Sequence, residues 1–352
     1  MTDTTDQSAR PTPGGIVTLA HGSGGKAMRN LIETVFVRNF ENPLLAPLED
    51  QARIPLEELR CLGDRLAFTT DSFVVDPLFF PGGDIGSLAV YGTVNDLAMS
   101  GARPLYLSCG FIIEEGLELE ILHQVVHSMR KAAHRAGVAI VTGDTKVVNR
   151  GSADKLFVNT AGIGVIPPGV QVAARHTRPG DVILTNGSLG NHGAAILGAR
   201  GDLGLEVDIK SDCAPLHDLV EVMIAACPEL HAMRDATRGG VAAVLNEFAE
   251  AASVGIRLDE SMLPIDEEIR GVCELLGLDP LYLANEGKLV VALPKPQGAA
   301  VLAAMRAHPA GRGAAIIGEV LEHPQGLVIL RSAFGGERII DRLVGEPLPR
   351  IC

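Results

Sequence analysis

The sequence predicts a mixed α/β protein of two domains with an extended tail, and three observations carry that expectation. From about residue 60, short apolar runs typical of strands alternate with stretches of helical spacing. The 352 residues suffice for two separate cores. Midway, Pro167-Pro168-Gly169 and the polar Arg175-His176-Thr177-Arg178 interrupt the alternation. The expected organisation is a disordered polar leader over 1–15, a first domain over 16–168, a second over 169–335 and a tail over 336–352.

In order, Ile16 to Ala20 reads as a strand, followed by the loop His21-Gly22-Ser23-Gly24-Gly25-Lys26 and a helix with Met28, Leu31, Ile32, Val35 and Phe36 on one face. The loop approaches two nucleotide fingerprints and satisfies neither. A P-loop needs Ser or Thr after the lysine, where Ala27 stands. A dinucleotide-binding unit needs a second strand ending in an acid about 20 positions on, where Asn42 to Pro47 is broken by prolines. What remains is a glycine loop, either a surface turn or a lid whose N–H groups and Lys26 close over phosphates.

Leu66 to Thr70 is the next strand and delivers Asp71-Ser72 at its end. Asp84 can cap a helix running to about Met99 that carries Gly92, Asn95 and Asp96. A strand over 104–113, a helix over 119–135 stopped by Gly137, a strand over 138–142 running into Gly143-Asp144-Thr145-Lys146, and a strand over 156–165 complete the first half. The second half offers strands at 182–185, 288–293, 314–320 and 327–330, helices at 216–226 and 240–252, and a loop from Asn186 to Gly193.

Composition narrows the function. A formal net charge of −13 excludes general affinity for nucleic acid or an anionic membrane. The six cysteines form no C-x-x-C pair, which argues against a disulfide framework and a zinc site. No uninterrupted apolar run is long enough to span a membrane, and the start lacks the basic and apolar regions of a signal peptide, so a cytoplasmic location is expected.

Asp71, Asp96, Asp144 and Asp235 each sit beside Gly, Ser, Thr or Asn at element junctions. Singly, such residues cap helices or form turns. Together they suit a magnesium ion that bridges carboxylates to the phosphates of ATP. The last six residues, Pro347-Leu348-Pro349-Arg350-Ile351-Cys352, should be extended, because each proline fixes φ and disfavours helix in the residue before it. From Gly345 the tail could reach on the order of 25 Å at ~3.3 Å per residue, enough to carry the Cys352 thiol into a cleft. The alternative is a frayed end that happens to finish in cysteine.

Thr70-Asp71-Ser72 and Gly92-Thr93-Val94-Asn95-Asp96-Leu97-Ala98-Met99-Ser100-Gly101-Ala102 resemble the signature of the aminoimidazole ribonucleotide synthetase superfamily. Within it, Gly143 to Val148, Arg234 to Gly240, Ala284 to Lys288 and the closing Pro349-Arg350-Ile351-Cys352 resemble the HypE family of carbamoyl dehydratases of [NiFe]-hydrogenase maturation. The resemblance runs from His21 to Cys352. It implies a two-domain fold whose first domain closes a β-barrel across a homodimer, with a flexible tail. It further implies ATP and Mg2+, held by Asp71, Asp96, Asp144 and Asp235 with Asn95 beside them, and a lid formed by Gly24, Gly25 and Lys26.

The implied chemistry is a dehydration. A partner transferase, HypF, places a carbamoyl group on the terminal thiol. The S-carboxamide is dehydrated to an S-cyanide, and the HypC–HypD complex accepts the cyanide for the hydrogenase iron. Catalytic roles then fall to Cys352 as carrier, Lys146 at the transferring phosphoryl group, and Glu286 as base on the carboxamide nitrogen. Glu286 is equally open to a structural role paired with Lys288, and His21 and His192 are reserves. Two other readings remain: a synthetase acting on a diffusible substrate, in the manner of selenophosphate or purine-pathway enzymes, and a non-catalytic carrier switched by nucleotide.

Overall fold

The computed structural model describes residues 15–201, 208–345 and 350–352, so the expected leader over 1–14 and positions 346–349 of the tail lie outside the described residues. The first half holds β1 (Arg65–Phe73), a small hairpin of β2 (Phe79–Phe80) and β3 (Gly83–Asp84), then β4 (Arg103–Glu114), β5 (Ala139–Val148) and β6 (Leu156–Ile166). The second holds β7 (Asp181–Thr185), β8 (Ala232–Asp235), β9 (Gly255–Asp259), β10 (Leu289–Pro294), β11 (Ala315–Leu321), β12 (Val328–Arg331) and β13 (Glu337–Ile339). They form a four-stranded sheet in the order β1-β6-β4-β5 and a seven-stranded sheet in the order β13-β12-β9-β11-β7-β10-β8. Both sheets are mixed, with β4–β5 and β9–β12 as the parallel pairs.

The helix Leu119–Arg135 links the parallel pair β4 and β5 and buries Leu122, Val125, Val126, Met129, Ala132 and Ala133, an apolar stripe at helical spacing. The helix Ile85–Met99 behaves differently. It starts where the Asp84 carboxylate accepts the N–H groups of Gly86 and Ser87, and nearly all its residues are buried, as expected of a helix apolar on all sides. One side lies on the first sheet, where Thr93 and Thr160 share a hydroxyl hydrogen bond. Another meets the second domain, where the Asn95 amide donates to the carbonyls of Ala214 (3.1 Å) and Glu286 (3.4 Å) and accepts the Leu216 N–H at 2.8 Å.

Several expectations change. Residues 16–20 are not a strand: Ile16 makes an isolated bridge to Glu118, and a 3-10 turn covers Leu19–Gly22 because His21 Nδ1 accepts the Thr18 N–H at 3.0 Å. Gly143 to Lys146 is no junction loop, since β5 continues through it against β4. His192 does not lie in a loop but in the first turn of the helix Asn191–Arg200, fully buried. The second half also contains β8, β9 and β13 and the helices Glu267–Leu276 and Gly298–Ala307, which local pattern did not separate from their surroundings.

Asn95→Ala leaves buried backbone groups of both domains without partners. It is expected to lower unfolding free energy by about 2–4 kcal/mol, with a matching fall in the denaturant midpoint.

Candidate active site

Strand β1 leads Asp71 to the place where the first sheet meets the second. Thr69 Oγ1, two residues earlier on the same face, donates to Asp96 Oδ2 at 2.9 Å and so fixes the one polar side chain that the buried helix turns toward this spot. Asp235 arrives from the second domain at the end of β8. These three carboxyl groups act on one another. Burial raises the proton affinity of Asp71 and of Asp96, and Asp71 adds to the rise at Asp96. Asp235 is pushed up to about 7 by burial, by Asp96 and by Asp71. Arg238 and Arg234 offset part of the excess.

Glu286 stands behind this group. Its backbone N–H and that of Gly287 both donate to the Asp212 carboxylate at 3.1 Å, and a Cβ on Gly287 would lie 1.9 Å from the Asp212 carbonyl oxygen, so only glycine fits there. Lys288 pairs with Asp212 at 3.0 Å, so the lysine expected as a possible partner of Glu286 belongs to a different carboxylate. Burial would raise the proton affinity of Asp212, but the Lys288 ammonium and the backbone N–H of Glu286 hold it below the ordinary value. Glu286 goes the other way. Burial, then Asp212, Asp235 and Asp71, drive it well above the carboxylate range, and its Oε1 has no hydrogen-bond partner among the described residues.

The group that faces Glu286 is the thiol of Cys352. Hydrogen bonding to that thiol is what draws the Glu286 carboxyl back down, while burial and Glu286 push the thiol itself well up. The end of the chain is held on several sides. Ile351 pairs with Val75 as a short antiparallel bridge, and Asp76 N–H donates to the Arg350 carbonyl at 3.2 Å. The Arg350 guanidinium reaches Asp154 at 2.5 Å and Asp76 at 3.6 Å, and Arg200 donates to the Arg350 carbonyl at 2.8 Å. His192 Nε2 lies 2.7 Å from the Ile351 carbonyl oxygen.

Sequence similarity agrees with this geometry. Family models of the AIR synthase related protein match here, the N-terminal domain over residues 49–166 and the C-terminal domain over 178–331. A protein of Rhodobacter capsulatus, carbamoyl dehydratase HypE, is 59% identical over 336 residues, covering 96% of this chain and 98% of its own. The chain belongs to the HypE family. A solved HypE in complex with ATP superposes with a TM-score of 0.90 at 50% identity, covering 95% of this chain and 99% of that one. The HypE chain of a HypE–HypF complex gives a TM-score of 0.77 at 46% identity, covering 89% of this chain and 99% of that one.

The other expected site residues gather elsewhere. Asp71 lies opposite Thr160, Thr160 opposite Cys109, and Cys109 opposite Gly143. Three strand spacings therefore separate Asp71 from the Asp144 end of the sheet, about 14 Å at the usual inter-strand distance. Asp144 binds Lys146 at 2.7 Å, both are exposed, and the lysine holds the Asp144 carboxylate below its ordinary value. Within one chain the four expected aspartates do not meet at one ion. Gly24 and Asp144 line a cavity of about 710 Å³ with Phe36, Phe111, Ile140 and Thr142, while Lys26 is exposed beside Gly25. Asn95 is a bracket between the domains with its amide fully engaged, which corrects its expected place among the ligand contacts.

The magnesium expectation can be tested on the remaining three carboxyl groups. Asp71, Asp96 and Asp235 offer hard oxygen donors that carry too little positive charge nearby, the environment a divalent cation relieves. Among the described residues no three acidic, His or Cys groups lie close enough together to hold a metal ion by themselves, so an ion here would need phosphate and water ligands besides. The residues that local sequence reasoning did not single out are Arg238, Asp212 and Ser211. They act as partners of other groups and carry no spacing signal of their own.

Asp235→Asn should stabilise the metal-free protein at pH 8 more than at pH 5. The Asp235 carboxyl has a folded-state value above its unfolded one, so its contribution is favourable below about pH 4 and is lost as the pH rises through about 7. Thermal unfolding in a chelator at the two pH values checks this.

Proposed function

We propose that this protein uses ATP to dehydrate an S-carboxamide on Cys352 to an S-cyanide. The observation that supports the reading is the Cys352 thiol lying against the buried Glu286 carboxyl, whose Oε1 has no partner among the described residues, beside the acidic group of Asp71, Asp96 and Asp235. A diffusible substrate would need that space, which the chain's own end occupies.

The barrier is the leaving group, because direct loss of the carboxamide oxygen would expel hydroxide. Transfer of the ATP γ-phosphoryl to that oxygen, with release of the first nitrogen proton to solvent, gives ADP and an imidate phosphate that keeps one N–H. Breaking its C–O bond then releases phosphate as the nitrogen loses its proton, leaving C≡N on sulfur. Glu286 takes the nitrogen proton; a carboxyl of such raised proton affinity is a strong base once ionised. Arg238 faces both Asp71 and the Cys352 sulfur, and its charge supports the phosphoryl group during transfer. Asp71, Asp96 and Asp235 would hold a magnesium ion, which would supply the positive charge that lets a triphosphate approach an acidic site. The cavity beside Gly24 and Asp144 takes the nucleotide base and ribose, with Lys26 and Lys146 as cations at its edge.

HypF, solved with a HypE, is the carbamoyl donor under this reading, and a HypC–HypD complex accepts the cyanide. The tail must then leave its seat to be loaded and return for dehydration, breaking the exposed contacts of Arg350, the short pairing at Val75 and the buried contact of His192 with the Ile351 carbonyl. The intact mass should show the carbamoyl adduct and then the loss of one water when the chain is incubated with HypF, carbamoyl phosphate and ATP. Asp96→Asn should retain the adduct without losing water, and Cys352→Ala should acquire none. A Cys352→Ala protein that still yields the nitrile would overturn the assignment.

We further infer a homodimer. Both long helices of the first domain cover one face of its sheet, and the other face leaves Leu66 (58% exposed), Phe68 (72%) and Ile112 (43%) in the open. Apolar side chains grouped on one sheet face call for a second layer, and a second copy provides one by closing a barrel. Phe68→Lys is expected to shift the light-scattering mass from dimer to monomer; a wild-type protein that is already monomeric at micromolar concentration would refute the pairing.

A further inference from the structure

We propose that His192 is the positioning residue that seats the tail, holding the Ile351 carbonyl at the end of a hydrogen-bond chain whose direction that carbonyl fixes. This deepens the function proposed above and rests on that reading for the dehydration step alone. His192 is completely buried, so both ring nitrogens need partners. Nε2 lies 2.7 Å from the Ile351 carbonyl oxygen and Nδ1 2.8 Å from Ser211 Oγ. Ser211 Oγ in turn accepts the backbone N–H of Cys213 at 3.1 Å.

A carbonyl oxygen only accepts, so Nε2 carries the proton given to Ile351; in the neutral ring Nδ1 then accepts, and the Ser211 hydroxyl, itself accepting the Cys213 N–H, donates to it. The neutral tautomer is therefore dictated by its surroundings. Burial also lowers the ring's proton affinity and keeps it neutral.

The ring is held in orientation too. Phe80 meets it edge-on at 5.3 Å and 85°, and Ser211 N–H donates to the Pro81 carbonyl at 2.8 Å. The first domain thus steadies the base of the chain, and the second presents its tip. Ile351 is gripped from the first domain by Val75 and from the second by His192. Because the contact is to the carbonyl just before Cys352, it stays the same whether the sulfur is a thiol, a carboxamide or a cyanide. Fixing that carbonyl limits where Sγ can lie relative to Glu286.

The test uses the full-length protein and His192→Phe, which keeps an aromatic ring against Phe80 and removes the donor. Alkylation of Cys352 by iodoacetamide, read on the C-terminal peptide, should speed up about five- to tenfold, the usual value of one hydrogen bond. Dehydration of the carbamoylated protein should lose a similar factor in kcat with the KM for ATP unchanged. His192→Gln, whose amide can donate, should recover most of both. Wild-type alkylation and dehydration rates in the Phe protein overturn the proposal, as does a Gln protein no better than the Phe one. Should the Phe protein fail to fold, Ser211→Ala carries the test: freed from its fixed tautomer, the ring should protect Cys352 about two- to threefold less well, and unchanged protection overturns the inference. Absence of dehydration in the wild type would sink the function proposed above, while the alkylation comparison still decides the seating.

Discussion

The complete burial of the helix Ile85–Met99 is the constraint on which the rest depends. A helix covered on nearly every side has no water to satisfy its polar groups, so Asn95 must find partners in the second domain and Asp96 must find Thr69. Those two neighbours in sequence point to different places for that reason. One joins the domains, and the other enters the space the joining creates. Asp71 and Asp235 reach the same space from the edge strands of two different sheets, β1 and β8.

The acidic space is costly without a positive charge in it. Like-charged carboxyls raise one another's proton affinity, and Glu286 behind them is also raised well above the ordinary range. A substrate tethered to the same chain suits such a site. Its approach need not rely on diffusion of a free molecule toward a negatively charged protein, and a backbone seat can hold it at a set distance. The exposed ion pairs of Arg350 contribute little stability in water, which fits a contact that has to open and close. The buried carbonyl contact of His192 is of the other kind, because it leaves a polar group unmatched whenever it breaks.

Much of the first domain was legible in the sequence. The helix Leu119–Arg135 has the expected bounds because its stripe is amphipathic and Gly137 stops it, and Asp84 caps the preceding helix Ile85–Met99 as its residue type requires. The second half was less legible. β8 is four residues long and ends in Arg234-Asp235, β13 is three residues on a sheet edge, and both exist through their partners rather than through their own pattern. His192 looked like a loop residue because Gly187, Gly190 and Gly193 surround it, yet it opens a helix against the tail.

By itself the sequence determined the chemical inventory: four aspartates beside Gly, Ser, Thr or Asn, a glycine loop with a lysine, Glu286 before a strand, and a cysteine at position 352. Those follow from local rules of capping, turn formation and side-chain chemistry. Only the tertiary structure decided the grouping. It put Asp144 and Lys146 three strands away from Asp71, gave Lys288 to Asp212 in place of Glu286, and turned Asn95 from a presumed ligand into a bracket. Distances across a sheet and pairings between domains depend on strand order and burial, and neither is written in the spacing of residues along the chain.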